Sequence, residues 1–399
     1  MEIPTRMRMA RLSTLTYFYI NGFILGVWVI QIPTVAIRSK VNPATLGWLL
    51  LCLGVGALVS MAVVGKFADR LSARLIVPTS AFGCAMALFF PLRASNWWEL
   101  AIVLFSLGIS VGALDISMNT HAIEVERSYR RPIMSSFHAT FSIGGFSSSI
   151  YSSQLATYNV SPDVIVDIAV VLSALASVIG VLGLLKKDAV SKEARSKVIR
   201  STWKNVPREI RIFAVVALAV MVSEGIANDW SSLYMQSIRH APANQIPYAY
   251  GAFAATMTIG RAISDRLAKS YSSLFVLRYG ATLALVGITV VIFAPSTIIA
   301  ISGWAIFGLG LSGCVPQIYS AAGHFDANNA GANVSKVASV GYFGMLAGPL
   351  VIGQLTKVVS LQYTFFVPAI LCIVAIVFSG VIRSHDHKRL GANVATDTP

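Results

Sequence analysis

Very few ionisable side chains interrupt the long apolar runs of this 399-residue chain, and three of them have the chemistry to carry a proton. Glu224 lies about halfway along the run at 211–236, with Asn228 and Ser231 one and two turns further on the same helical face. Asp229 is their neighbour, rotated away by about 100°. Asp115, in the run at 98–122, shares one stripe with Gly108, Gly112 and Asn119. His138, in the run at 132–156, shares a face with Ser142, Gly145 and Ser149 at a depth similar to Asp115. Such carboxylates can load and unload a proton, and a carboxylate beside an imidazole can share one. If these runs lie in hydrocarbon, each charge costs at least about 2.5–3.5 kcal/mol. The plainer alternatives are a His138 hydrogen bond between neighbouring helices and structural roles for the two acids.

A second set of residues suits solute contact. Asn21, Trp28 and Gln31 form a polar and aromatic stripe with Tyr17, and Asn119, Asn228, Trp230 and Gln317 are comparable side chains in other runs. Aromatic faces combined with amides hold polyhydroxylated or amphipathic solutes, although a Trp near a span end also serves as an interfacial anchor.

The elements that must position these residues follow from composition. Hydrophobic residues make up 55% of the chain, charged residues only 12%, and the mean hydropathy is +0.70, whereas a soluble protein carries roughly 25% charged residues. Apolar runs of spanning length fall at 13–37, 46–66, 74–92, 98–122, 132–156 and 163–185, then 211–236, 246–264, 272–293, 297–319, 335–357 and 361–382. The pattern predicts an all-α integral membrane protein of twelve transmembrane helices: a six-helix bundle over 1–185, a basic linker over 186–210, a second bundle over 211–383 and a tail over 384–399. With the N-terminus in the cytoplasm, only Arg38, Lys40, Arg93, Arg239 and Lys357 of the 31 Lys and Arg lie outside. The positive-inside rule therefore predicts N-in and C-in, and the net charge of +14 reads as orientation rather than as a nucleic-acid surface. The first run is long and is followed by Ile32-Pro33 rather than a cleavage site, so it reads as a span rather than a leader.

Several motif matches carry no chemistry. Gly108-Ile-Ser110-Val-Gly112 and Gly308-Leu-Gly310-Leu-Ser-Gly313 match enzyme and nucleotide patterns without the strand–turn–helix those patterns need. Cys52, Cys84, Cys314 and Cys372 lie in apolar runs without metal spacing, His385-Asp-His387 is too short for a metal site, and no phosphate loop is present. No enzyme activity, cofactor or metal is expected.

The two halves echo each other: Phe105-Ser-Leu-Gly108-Ile-Ser110 matches Phe307-Gly-Leu-Gly310-Leu-Ser312, and Ser142-Ile-Gly144 matches Ser339-Val-Gly341. This repetition is typical of transporter folds. The segment Gly65-Lys-Phe-Ala-Asp69-Arg70-Leu-Ser-Ala-Arg74 resembles the 2–3 loop signature of the major facilitator superfamily, with a second copy at Gly260-Arg261-Ala-Ile-Ser-Asp265-Arg266. Ser72 replaces the usual Gly, and the second copy has one extra residue. The resemblance implies two bundles that rock around a central site lined by spans 1, 4, 7 and 10, the spans of Asn21, Asp115, Glu224 and Gln317. It also implies a cytoplasmic gate of Gly65, Asp69, Arg70, Arg74, Asp265 and Arg266. The run from Asp115-Ile-Ser-Met-Asn119 through Glu124-Val-Glu126-Arg127 to His138 and Gly145 is similar to the bacterial MosC-like branch, which implies a sugar- or cyclitol-like solute.

These features predict a proton-coupled secondary transporter of a small polar solute, monomeric in the bacterial inner membrane, with import and export both open. One alternative is a proton-antiport exporter of drugs or metabolites. Against it, Leu104–Ala122 holds no Arg and Gly144-Gly145 is not followed by Gly-Pro. The other alternative is a transport-inactive membrane sensor, which the absence of a soluble signalling domain argues against.

Overall fold

A computed structural model describes residues 5–67, 72–129, 133–185, 206–326 and 329–381. The helices in chain order are α1 (Thr5–Arg38), α2 (Pro43–Phe67), α3 (Ala73–Leu88), α4 (Trp97–Tyr129), α5 (Met134–Thr157), α6 (Pro162–Gly180), α7 (Arg208–Ser237), α8 (Pro247–Ser270), α9 (Ser273–Phe293), α10 (Thr297–Leu311), α11 (Cys314–Phe325), α12 (Ala330–Leu355), α13 (Leu361–Thr364) and α14 (Phe366–Phe378). Among the described residues, ten helical segments are long and apolar enough to cross a membrane. The 24-residue helices α5 and α8 fall short on apolarity. α5 is rich in serine, and α8 carries Arg261, Asp265, Arg266 and Lys269.

Polar caps start many helices. Asn42 Oδ1 accepts the Thr45 N–H at 2.8 Å before α2, and Asn96 Oδ1 accepts the Glu99 N–H at 3.0 Å before α4. Ser161, Ser272 and Ser296 do the same for α6, α9 and α10. Several bounds differ from expectation. α4 continues to Tyr129, and α7 starts at Arg208, inside the stretch expected as linker.

Two expected spans are broken. The tenth stops at Leu311 and restarts at Cys314, because Pro316 has no N–H to give the Ser312 carbonyl one turn back. Pro368 likewise leaves the Thr364 carbonyl without its donor, and the helix breaks between α13 and α14. The second signature copy, expected in a loop, lies inside α8, which runs unbroken to Ser270. Its polar residues shortened the apolar run without ending the helix.

Contact density divides the chain into two compact units, one of Met1–Ala194 with Ser231–Ala254 and one of Arg195–Trp230 with Ala255–Pro399. In the first unit α1 is the core helix, buried along most of its length from Ser13 to Ala36. Gly22 and Gly108 allow the closest approaches there. A Cβ on Gly22 would run into the Phe141 carbonyl of α5, and one on Gly108 into the Leu53 carbonyl of α2. Arg38 forms a bidentate pair with Asp163 at 2.7 and 2.6 Å, and Arg93 pairs with Asp167 while stacked on Phe89. Ser149 and Ser153 of α5 donate to the main-chain carbonyls of Pro247 and Asn244, each at 2.7 Å.

In the second unit α9 packs closely on α10, and Trp304 stands edge-on to both Phe307 and Phe365. Thr256 of α8 donates to the Ala305 carbonyl at 2.7 Å, and Gly225 of α7 lies against Met345 of α12.

Candidate functional site

In the first unit, α4 presents Asp115 and Asn119 one turn apart, both half-buried. The Asn119 amide donates to the Asp115 carbonyl at 2.9 Å and to its carboxylate at 3.2 Å. The acid thus has a donor from its own helix. Asn21 of α1 is 1% exposed; its amide meets the Met118 sulfur at 4.0 Å, and its Oδ1 has no partner among the described residues. A buried amide oxygen without a donor costs about 1–3 kcal/mol, which marks Asn21 as a group waiting for a ligand or water. Trp28 is buried, and Gln31 lies roughly 15 Å further along α1 than Asn21 at 1.5 Å per residue, nearer the end of the helix.

His138 is exposed, its ring edge-on to Phe18 at 5.3 Å. The buried histidine of the unit is His121, which the sequence reading passed over. Thr14 gives its hydroxyl proton to the Ala10 carbonyl at 2.7 Å, so the His121 Nδ1–H donates to Thr14 Oγ1 at 3.0 Å. Nε2 then accepts the Leu185 N–H at 3.2 Å. These bonds assign the neutral Nδ1–H tautomer. Arg74, expected in the gate, donates Nε to the neighbouring Leu184 carbonyl at 2.8 Å. Together Arg74 and His121 clamp the chain just after α6. Gly65 lies in the last turns of α2, while Asp69 and Arg70 fall outside the described residues.

In the second unit Glu224 does not stand alone. Arg261 Nη2 of α8 reaches Glu224 Oε1 at 2.9 Å, the side chains being 40% and 17% exposed respectively. From sequence, Arg261 belongs to the signature copy near the end of the eighth run. Its partnership with Glu224 depends on how α7 and α8 pack, which no local signal shows. Asp265 and Arg266, further along α8, are exposed. Asn228 and Asp229 are half-buried on α7, and Asp229 has no ion pair or hydrogen bond among the described residues. Trp230 is fully buried with its Nε1–H unpartnered there. Gln317, 4% exposed, sits in the first turn of α11 directly after the break. Nearby on that helix Tyr319 donates to the Met221 sulfur at 3.3 Å. Among the described residues no cluster of His, Cys, Asp and Glu could hold a metal.

A sequence profile of the Major Facilitator Superfamily matches residues 12–335. The chain belongs to the major facilitator superfamily. Relatives within the superfamily include an uncharacterized MFS-type transporter of Yersinia pestis, 29% identical over 90% of this chain and 92% of its own length. The membrane protein MosC of Rhizobium meliloti is 29% identical over 90% of this chain and 86% of its own. Among solved structures, the nucleoside transporter NupG superposes with a TM-score of 0.75 at 14% identity, covering 96% of this chain and 99% of that one. A bacterial homolog of the human lysosomal transporter Spinster gives 0.74 at 11% identity over 96% and 98%. At such identities the structural likeness establishes the fold alone. The protein is a multi-pass membrane transporter of this superfamily, whose members carry small solutes across lipid bilayers and are not enzymes.

Proposed function

We propose that the chain is a proton-coupled secondary transporter that moves a small polar, sugar- or cyclitol-like solute by alternating access. Twelve spans in two halves, 1–185 and 211–383, are joined by the basic segment 186–210, with the tail at 384–399. Both termini lie in the cytoplasm of a bacterial cell, and the monomer works in the inner membrane. The distribution of Lys and Arg supports the orientation, and the likeness to MosC over most of both chains supports the branch.

The observation that carries the coupling is the Glu224–Arg261 pair. Both residues sit on helices rather than loops, so the pair ties α7 to α8. Protonation of the carboxylate removes the charge that holds the guanidinium and releases the two helices from each other, which gives a proton a mechanical readout. Asp115 and His138 are auxiliary proton groups. Solute contacts are assigned to Asn21, Trp28, Asn119, Asn228, Trp230 and Gln317, and gating to Gly65, Asp69, Arg70, Arg74, Asp265 and Arg266.

The test is flux into proteoliposomes under an imposed proton gradient. Glu224→Gln abolishes proton-driven accumulation while solute counterflow without a gradient partly survives. Full concentrative accumulation by that variant overturns the assignment.

A further inference from the structure

The first unit contains a cavity of about 320 Å³ lined by Gln31, one of the residues expected from sequence to contact solute, and by none of the other groups assigned above. It lies where the ends of α1, α5 and α7 meet the chain leading into α6 and α8. No charged side chain lines it. Gln31 and Thr34 enter from α1, Ser152 from α5 and Gln236 from α7, against apolar walls that include Ile165 and Pro247.

The polar groups are short of partners. Ser152 is 1% exposed, and its hydroxyl has no hydrogen-bond partner among the described residues. Gln31 is 6% exposed, and its amide bonds to no other described residue. Serine at a helical position usually returns its proton to the carbonyl one turn back, as Thr157 does to Ser153 at 2.9 Å in the same helix. Ser152 makes no such bond, and its hydroxyl is enclosed by protein, so the donors and acceptors open to the cavity are those of Gln31, Thr34 and Gln236. An amide supplies two donors and an acceptor, and a hydroxyl supplies one donor and accepts as well. The cavity is therefore rich in neutral donors and acceptors, without a charge to select an ion. Its volume lies at the small end of the range for ligand pockets, about 300–1,000 Å³, which suits a single ring.

We infer that this cavity is a binding site for a neutral, hydroxyl-bearing ring compound of monosaccharide size. Gln31 bridges two of its hydroxyls, Gln236 bonds a third, and the apolar walls cover a face of the ring. The site stands apart from Asn21, Asp115 and Glu224, and its occupancy needs neither a proton gradient nor transport.

Isothermal titration of the purified full-length protein in lipid nanodiscs tests it, with myo-inositol and glucose as neutral probes and glucuronate and glucosamine as charged ones. The neutral probes bind the wild-type protein, and the charged ones bind at least about tenfold more weakly. Gln31→Leu weakens neutral binding by about tenfold and Gln236→Leu by about threefold, as expected for the loss of two hydrogen bonds and of one. Neither side chain has a partner to lose among the described residues, so both variants keep the wild-type unfolding temperature; should one fail to fold, Thr34→Val takes its place with a weakening of about threefold. Wild-type protein that binds no neutral probe overturns the proposal, as does equal binding of charged probes or neutral binding indifferent to these substitutions. Counterflow measured in parallel separates this site from the transport reading. Flux without Gln31-dependent binding overturns the site alone, and Gln31-dependent binding without flux overturns the transport reading alone.

Discussion

The interior acids of the two units are answered in unlike ways. Asp115 is bonded by an amide one turn along its own helix, and no movement of α4 as a body disturbs that contact. Glu224 is bonded by a guanidinium on a different helix, so its contact registers the relative position of α7 and α8 and the charge of the carboxylate together. An intrahelical hydrogen bond makes a polar residue tolerable. An interhelical ion pair also makes it informative, and this is why the second acid is the stronger candidate for coupling a proton to motion.

The comparison is broken or sharpened by four stability measurements in detergent. The largest effect is expected for Arg261→Leu, which leaves Glu224 without its cation. Removing one partner of a fully buried pair costs about 3–5 kcal/mol. With Arg261 40% exposed, a loss of about 2 kcal/mol is expected after allowance for solvent screening. The double variant with Glu224→Gln should recover most of it, because it removes both charges; a double variant as unstable as Arg261→Leu alone contradicts the pair. Asp115→Asn should cost about 1 kcal/mol or less, since the new amide oxygen still accepts from Asn119 and the main-chain bond is untouched. If it destabilises as much as Arg261→Leu, the contrast between the acids is lost. The smallest effect belongs to Asp163→Asn in the first turn of α6, where the bidentate partner Arg38 is 36% exposed. Its cost should stay below about 1 kcal/mol and shrink in high salt.

How much was legible in the sequence depended on whether the signal was local. Apolar runs marked the helices because burial in hydrocarbon demands them residue by residue, and Asp115 with Asn119 was legible because helical periodicity alone brings them together. The Glu224–Arg261 pair was not, since it requires the packing of two helices, and the polar tail of α8 looked like the end of the span. The breaks before α11 and within the last span were written in Pro316 and Pro368, yet Pro33, Pro78 and Pro349 are accommodated inside helices. Proline alone therefore does not tell which turn will yield. His121 and His138 lie on successive helices, and both stand among small and polar residues, so sequence does not tell which one is buried. Only packing shows that His121 faces Thr14 while His138 meets the edge of Phe18.

The two serine bonds from α5 to the carbonyls of Pro247 and Asn244 have a consequence for reversibility. A hydroxyl on a helix always has a fallback acceptor, the carbonyl one turn behind it on its own helix. If Ser149 and Ser153 let go, each turns back to that carbonyl, and the freed acceptors can take water. The fastening can be undone and remade many times without stranding a donor.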